Sequence, residues 1–154
     1  MHDVKKIMVV STSTSTCKKA VHYGVTLAKQ LGAKLYVFHS EYDPFDLEGW
    51  GLPIPSLKAL REDYLRALQT DRAVLDDIIQ KETTPGMEVE VSVTDLPIVA
   101  EVERMVHKEK IDLIIMVSYE EGRLEHYLFS GSMHEIVRKM PCSIMLVKGH
   151  HTWE

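Results

Sequence analysis

The chain has 154 residues, 45% of them apolar, enough to bury a continuous core in one domain without help from a metal or a disulfide. Asp and Glu (23) outnumber Lys and Arg (18) for a formal net charge of −5, which excludes a basic footprint for nucleic acid or an anionic membrane surface. No apolar run reaches the roughly 18 residues of a spanning helix and no signal-peptide core follows Met1, while Cys17 and Cys142 form neither a Cys-x-x-Cys motif nor a disulfide framework; a cytoplasmic protein with reduced thiols is expected.

Val4 to Val10 reads as a short buried strand, and the run Ser11-Thr12-Ser13-Thr14-Ser15-Thr16 offers N-cap hydroxyls to the helix that follows. That helix places Cys17, Ala20, Val21, Gly24, Leu27, Ala28 and Leu31 on one face and stops at Gly32. Leu35 to His39 is the second strand. Pro44, Gly49, Gly51, Pro53 and Pro55 then mark a long irregular loop, and a helix from about Ser56 to Lys81 carries a stripe of Leu57, Leu60, Tyr64, Leu68, Leu75, Ile78 and Ile79. Thr83-Thr84-Pro85-Gly86 ends it.

Met87, Val89, Val91 and Val93 alternate with Glu88, Glu90 and Ser92, the pattern of a half-exposed strand at or near a sheet edge. Asp95-Leu96-Pro97 opens a helix through about Lys108. Ile111 to Val117 is almost wholly apolar, as in a strand covered on both faces, and a loop from Ser118 to Ser130 precedes a helix opening at Gly131-Ser132. The last strand, Ser143 to Val147, lies between Pro141 and Gly149.

Strands alternating with helices predict an α/β fold: a single doubly wound, Rossmann-like, five-stranded parallel sheet with helices on both faces and strand order 3-2-1-4-5. The first and fourth strands are then central neighbours, and ligands bind beyond their C-terminal ends, which brings the Ser11–Thr16 loop beside the Ser118–Ser130 loop. Residues 1–149 form the domain and 150–154 a short tail.

Lys6-Ile7-Met8-Val9-Val10, Leu27-Ala28-Lys29-Gln30-Leu31-Gly32-Ala33 and Lys110-Ile111-Asp112-Leu113-Ile114-Ile115-Met116 resemble the universal stress protein family. So do Ser130-Gly131-Ser132-Met133-His134-Glu135-Ile136-Val137 and Met140-Pro141-Cys142-Ser143-Ile144-Met145-Leu146-Val147, in the family's order and over almost the whole chain. The resemblance implies an ATP site built on Gly-x2-Gly-x9-Gly-Ser/Thr after the fourth strand, with an acidic residue after the first strand holding the adenine. Counted back from Gly131-Ser132, the first two glycine positions are Ser118 and Glu121, Gly122 stands one residue out of register, and the acidic position is Ser11 or Thr12. The resemblance also implies a homodimer paired antiparallel through the last strand, Ser143 to Val147.

Glycine in a phosphate loop permits positive φ and lets backbone N–H groups approach the anion. Glu121 removes that access and adds a negative charge; at about 4 Å from another unit charge this costs about 1 kcal/mol in bulk water and roughly 4 kcal/mol at an effective dielectric of 20. Gly131-Ser132 keeps the anion-holding end of a helix, although such a pair also serves as a plain N-cap. The expectation is a stress-associated regulatory or scaffolding homodimer with weak or no binding of ATP or AMP and an unidentified protein partner. The alternative is a sensor that holds a nucleotide or another anionic metabolite in a re-registered pocket of Ser11, Thr12, Ser13, Ser118, Gly122, Arg123, Gly131 and Ser132.

The eight histidines show no paired i, i+4 ligand spacing and read as surface residues with one or two at strand ends. Glu120, Glu121, Glu125 and His126 share one loop and read as solvated rather than metal-binding. No Gly-x-Ser-x-Gly elbow, Gly-x4-Gly-Lys-Ser/Thr loop or Gly-x-Gly-x-x-Gly turn is present, so no enzyme is expected. Met87, Met105, Met116, Met133, Met140 and Met145 read as core filling.

Overall fold

The computed structural model describes residues 3–11, 14–40, 72–94, 98–119 and 132–149. In chain order these form β1 (Lys6–Ser11), α1 (Thr14–Leu31), β2 (Lys34–Ser40), α2 (72–82), β3 (Val89–Thr94), α3 (Ile98–Glu109), β4 (Leu113–Tyr119), α4 (Ser132–Lys139) and β5 (Ser143–Gly149). The five strands make one sheet in the order β3-β2-β1-β4-β5, every neighbouring pair parallel. This is the expected doubly wound topology, with β1 and β4 in the centre and β3 and β5 at the edges.

Two-residue alternation along the strands divides the core into two layers. Ile7, Val9, Leu35, Val37, Ile115, Val117 and Val147 face Ala20, Val21, Val25 and Ala28 of α1 and Leu75 and Ile79 of α2. Met8, Val10, Tyr36, Phe38, Ile114 and Met116 face Ile98, Val102, Met105 and Val106 of α3 and Ile136 of α4. The edge strand β3 is covered less completely: Val89, Val91 and Val93 are only half-buried.

Several expected boundaries move. The first strand starts at Lys6 rather than Val4, because the N–H groups of Lys5 and Lys6 both donate to Asp112 Oδ2, at 2.9 Å each, before the ladder begins. The fourth strand starts at Leu113 rather than Ile111, because the Ile111 N–H closes α3 by donating to the Val106 carbonyl. Of the helix expected from Ser56 to Lys81, residues 72–82 are described and helical; the rest, like the Pro/Gly loop and Asp95-Leu96-Pro97, lies outside the described residues.

Two apolar assignments are corrected. Leu31 is 50% exposed: it sits in the last turn of α1, where Gly32 turns the chain (φ 65°) and Ala33 enters the core instead. Met140 is 60% exposed at φ 40°, an αL residue that terminates α4 rather than filling the core. Met105 and Met116 are buried as expected, and Met87 and Met145 pack partly against the core.

Candidate functional site

In a parallel sheet every strand ends at the same pole, and the helix that follows a strand begins there. β1 ends at Ser11 and α1 opens at Thr14; β4 ends at Tyr119 and α4 opens at Ser132. β1 and β4 are hydrogen-bonded neighbours, with Ile7 opposite Leu113 and Val9 opposite Ile115, and the chain leaves them toward opposite edges. The pole between them is therefore the topological switch point, where open α/β sheets bind ligands.

Ser11 closes β1. It follows Ile7 and Val9 on the α1 face, is only 3% exposed, and lies opposite His39 of β2, which follows Leu35 and Val37 on the same face and is fully buried. The Ser11 Oγ and His39 Nδ1 atoms are 3.2 Å apart, a hydrogen bond that joins the ends of two adjacent strands. Of the two positions that the family resemblance sets against a carboxylate, Ser11 holds a hydroxyl bound to an imidazole and Thr12 lies outside the described residues. Histidine patterning alone did not single out His39; the alternation Leu35, Val37, His39 was the signal that it points into the core.

Ser118 lies one residue before the end of β4, opposite Lys148 of β5, and Ser132 is the first residue of α4. Ser11, Ser118 and Ser132 therefore share the pole. Thr12, Ser13, Gly122, Arg123 and Gly131, like Glu121, lie outside the described residues.

The opposite pole is chemically different. A cavity of about 580 Å³ there is bordered by Lys5, Lys6, Lys29, Lys34 and Glu88. Three of its four lysines are engaged elsewhere: the Lys6 ammonium donates to the Glu109 carbonyl at 2.7 Å, that of Lys29 to the Glu82 carbonyl at 3.2 Å, and that of Lys34 pairs with Glu90 at 3.2 Å and sits 4.8 Å above the Tyr36 ring. They fasten strand and helix ends together.

Cys142 is half-buried and packs beside Ile144 against the α3 layer. Burial, reinforced by the Asp112 carboxylate, pushes its thiol up to about 11, the reverse of what an activated nucleophile requires. The Cys17 side chain lies outside the described residues. Among the described residues no three His, Cys, Asp or Glu side chains gather in a metal-holding group, and no helix is long and apolar enough to cross a membrane.

Residues 3–148 match the family model of the universal stress protein family. A universal stress protein of Aquifex aeolicus (strain VF5) is 26% identical over 125 residues, covering 79% of this chain and 89% of that protein. Among solved structures, universal stress protein UspA from Lactobacillus plantarum is similar with a TM-score of 0.66 at 17% identity, covering 96% of this chain and 99% of that one. The universal stress protein of Archaeoglobus fulgidus in complex with dAMP is similar with a TM-score of 0.54 at 15% identity, covering 94% and 99%.

Proposed function

The chain belongs to the universal stress protein family, and from that premise we propose that it is a cytoplasmic regulatory or scaffolding protein of the stress response, a homodimer through β5, with weak or no ATP binding. The observation that carries this reading lies at the end of β1, where Ser11 or Thr12 stands in place of an ATP-holding relative's carboxylate: neither is acidic, and Ser11 is buried and bonded to His39 at 3.2 Å. Ser118 and Glu121 at the glycine positions of the phosphate loop support it. The reading assigns the chain no catalytic step; its output is contact with another protein. Mass spectrometry of small molecules carried by the freshly purified protein tests it: no stoichiometric nucleotide is expected. ATP or AMP released on denaturation, or micromolar affinity by calorimetry, would overturn it.

A second reading is favoured by Ser132, which opens α4 at the same pole as Ser11, and by the similarity of the fold to a structure holding dAMP. A helix start offers free N–H groups and the positive end of the dipole to an anion. On this reading the chain is a sensor for a nucleotide or another anionic metabolite. A ligand then raises the melting temperature and Ser132→Ala reduces that rise; a nucleotide and metabolite panel without any stabilising member sinks the sensor.

A further inference from the structure

We propose that the cavity at the pole opposite the switch point holds a small organic anion, a phosphate monoester with an apolar body, between the ammonium groups of Lys5 and Lys29. This site stands whether or not a nucleotide binds at the switch point. Its volume of about 580 Å³ lies within the range of small-molecule sites. It opens between the last turn of α1 and the turn that joins α2 to β3.

Four lysines and one carboxylate border it, yet they divide between the two faces of the sheet. The ammonium groups of Lys6 and Lys34 lie on the α3 side, against the Glu109 carbonyl and over the Tyr36 ring. Met87 and Val89 both pack into the α1 layer, so alternation turns the intervening Glu88 carboxylate to the α3 side, with that of Glu90, which pairs with Lys34. Lys5, two residues before Ile7 of the α1 layer, and Lys29 of α1 remain on the cavity's side.

Neither of these two lysines has its charge matched. Lys5 is exposed, and its ammonium makes no hydrogen bond or ion pair among the described residues. Lys29 donates to the Glu82 carbonyl at 3.2 Å, an uncharged acceptor that fixes the ammonium in place and leaves two of its three protons for a ligand. The Glu82 carboxylate is taken by His22 Nδ1, 3.0 Å away. Helix-end carbonyls, which repel an anion, are partly occupied: that of Ala28 accepts the Ala33 N–H, and that of Ile79 accepts both the N–H and the hydroxyl of Thr83.

The walls set the rest of the ligand. Ala28, Ala33, Pro85 and Met87 are apolar, and Gly32 and Gly86 present bare backbone, with nothing within 4 Å of where a Cβ would stand. Unmatched positive charge on such a rim concentrates anions, and an ammonium is a compact charge that suits a phosphate head. Near pH 7 a phosphate monoester carries about −1.5 to −2, close to one charge for each ammonium. Inorganic phosphate would leave the apolar walls against water, whereas a ring or short chain on the ester covers them.

Phenyl phosphate is the probe, titrated at low salt into the isotope-labelled full-length chain and followed by amide chemical shifts, with inorganic phosphate and benzoate as comparators. Saturable shifts are expected at Lys29, Gly32, Ala33 and Gly86, with phenyl phosphate bound at least about fivefold more tightly than either comparator. Lys5→Gln and Lys29→Gln are each expected to weaken it about three- to fivefold, and Lys5→Arg to keep it. Because the Lys5 side chain is exposed and bonds nothing among the described residues, its variants should keep the parent spectrum without probe, so lost binding is not lost folding. Shifts confined to the neighbourhood of Ser11, Ser118 and Ser132 overturn this site while supporting the sensor. No saturable shift with millimolar probe, inorganic phosphate bound as tightly as phenyl phosphate, or an affinity that neither Gln variant changes also overturns it.

Discussion

The ends of α1 and α3 are built alike from different residues. In each, the N–H two residues past the last helical residue donates back five positions, Ala33 to Ala28 and Ile111 to Val106, and the intervening residue is left-handed: Gly32 at φ 65° and Lys110 at φ 57°. A residue with a Cβ pays roughly 1–2 kcal/mol there. Lys110→Gly is expected to stabilise the protein by about 0.5–1 kcal/mol, seen as a melting temperature higher by about 1–4 °C. Gly32→Ala is expected to cost about 1 kcal/mol although nothing lies within 4 Å of the added Cβ. If that variant melts with the parent protein, the cost of the backbone conformation has been misjudged. Cys142 gives a prediction of another kind. A thiol raised from 9.0 to about 11 holds about a hundredfold less thiolate near pH 8, so alkylation of Cys142 in the folded Cys17→Ser protein should be slower than in the unfolded chain by about that factor. The sign for stability follows: because the folded pKa is the higher one, the contribution is present below about 9 and is lost as the pH rises through about 11.

At the scale of elements, α1 is the piece most tightly fixed to the sheet, and Gly24 is the reason. A Cβ at Gly24 would lie 2.6 Å from Val9 Cγ2 and 3.1 Å from Leu35 Cδ1, both on fully buried side chains of adjacent strands. Alanine favours a helix over glycine by about 1 kcal/mol, yet overpacking a filled core costs typically 1–3 kcal/mol, and Val9 is stiff about χ1. Gly24→Ala should therefore destabilise by about 1–2 kcal/mol in denaturant unfolding; a more stable variant would mean that α1 can lift off the sheet at little cost. Such features also mark how far the sequence alone could go. The period-two pattern of Met87 to Val93 identified an edge strand, and the unbroken apolar run ending at Val117 identified a central one, because burial on one face or two writes itself into alternation. Val25, four residues past Val21 and three before Ala28, belongs to the same buried face of α1, whereas Leu31 in the last turn does not. The candidate site was legible at Ser11, Ser118 and Ser132, which the topology gathers at one pole, since strand ends follow from strand order. The Ser11–His39 bond was not legible: it joins residues 28 apart and depends on the register between β1 and β2, which no local pattern encodes.

For the molecule as a whole, the two edges of the sheet are guarded unequally. β3 presents Glu90, whose exposed carboxylate pairs with Lys34 at 3.2 Å, and the charged and polar residues Glu88, Glu90 and Ser92 interrupt its valines. A charged edge resists pairing with another strand, because the incoming chain must desolvate those charges. β5 instead runs Ile144-Met145-Leu146-Val147 without a charge until Lys148. If association in solution follows this asymmetry, a charge introduced at the two edges has unequal effects. Leu146→Lys sets an ammonium against apolar surface twice in a symmetric dimer and is expected to weaken self-association on the order of a hundredfold, read as a shift toward monomer in sedimentation equilibrium. Glu90→Lys loses an ion pair that is largely in water and is expected to leave the oligomeric state unchanged. Both sites are solvent-facing in the single chain, so both variants should melt within a few degrees of the parent protein, which separates lost association from lost folding. An unchanged dimer in Leu146→Lys together with a monomer in Glu90→Lys would move the interface to the other edge of the sheet.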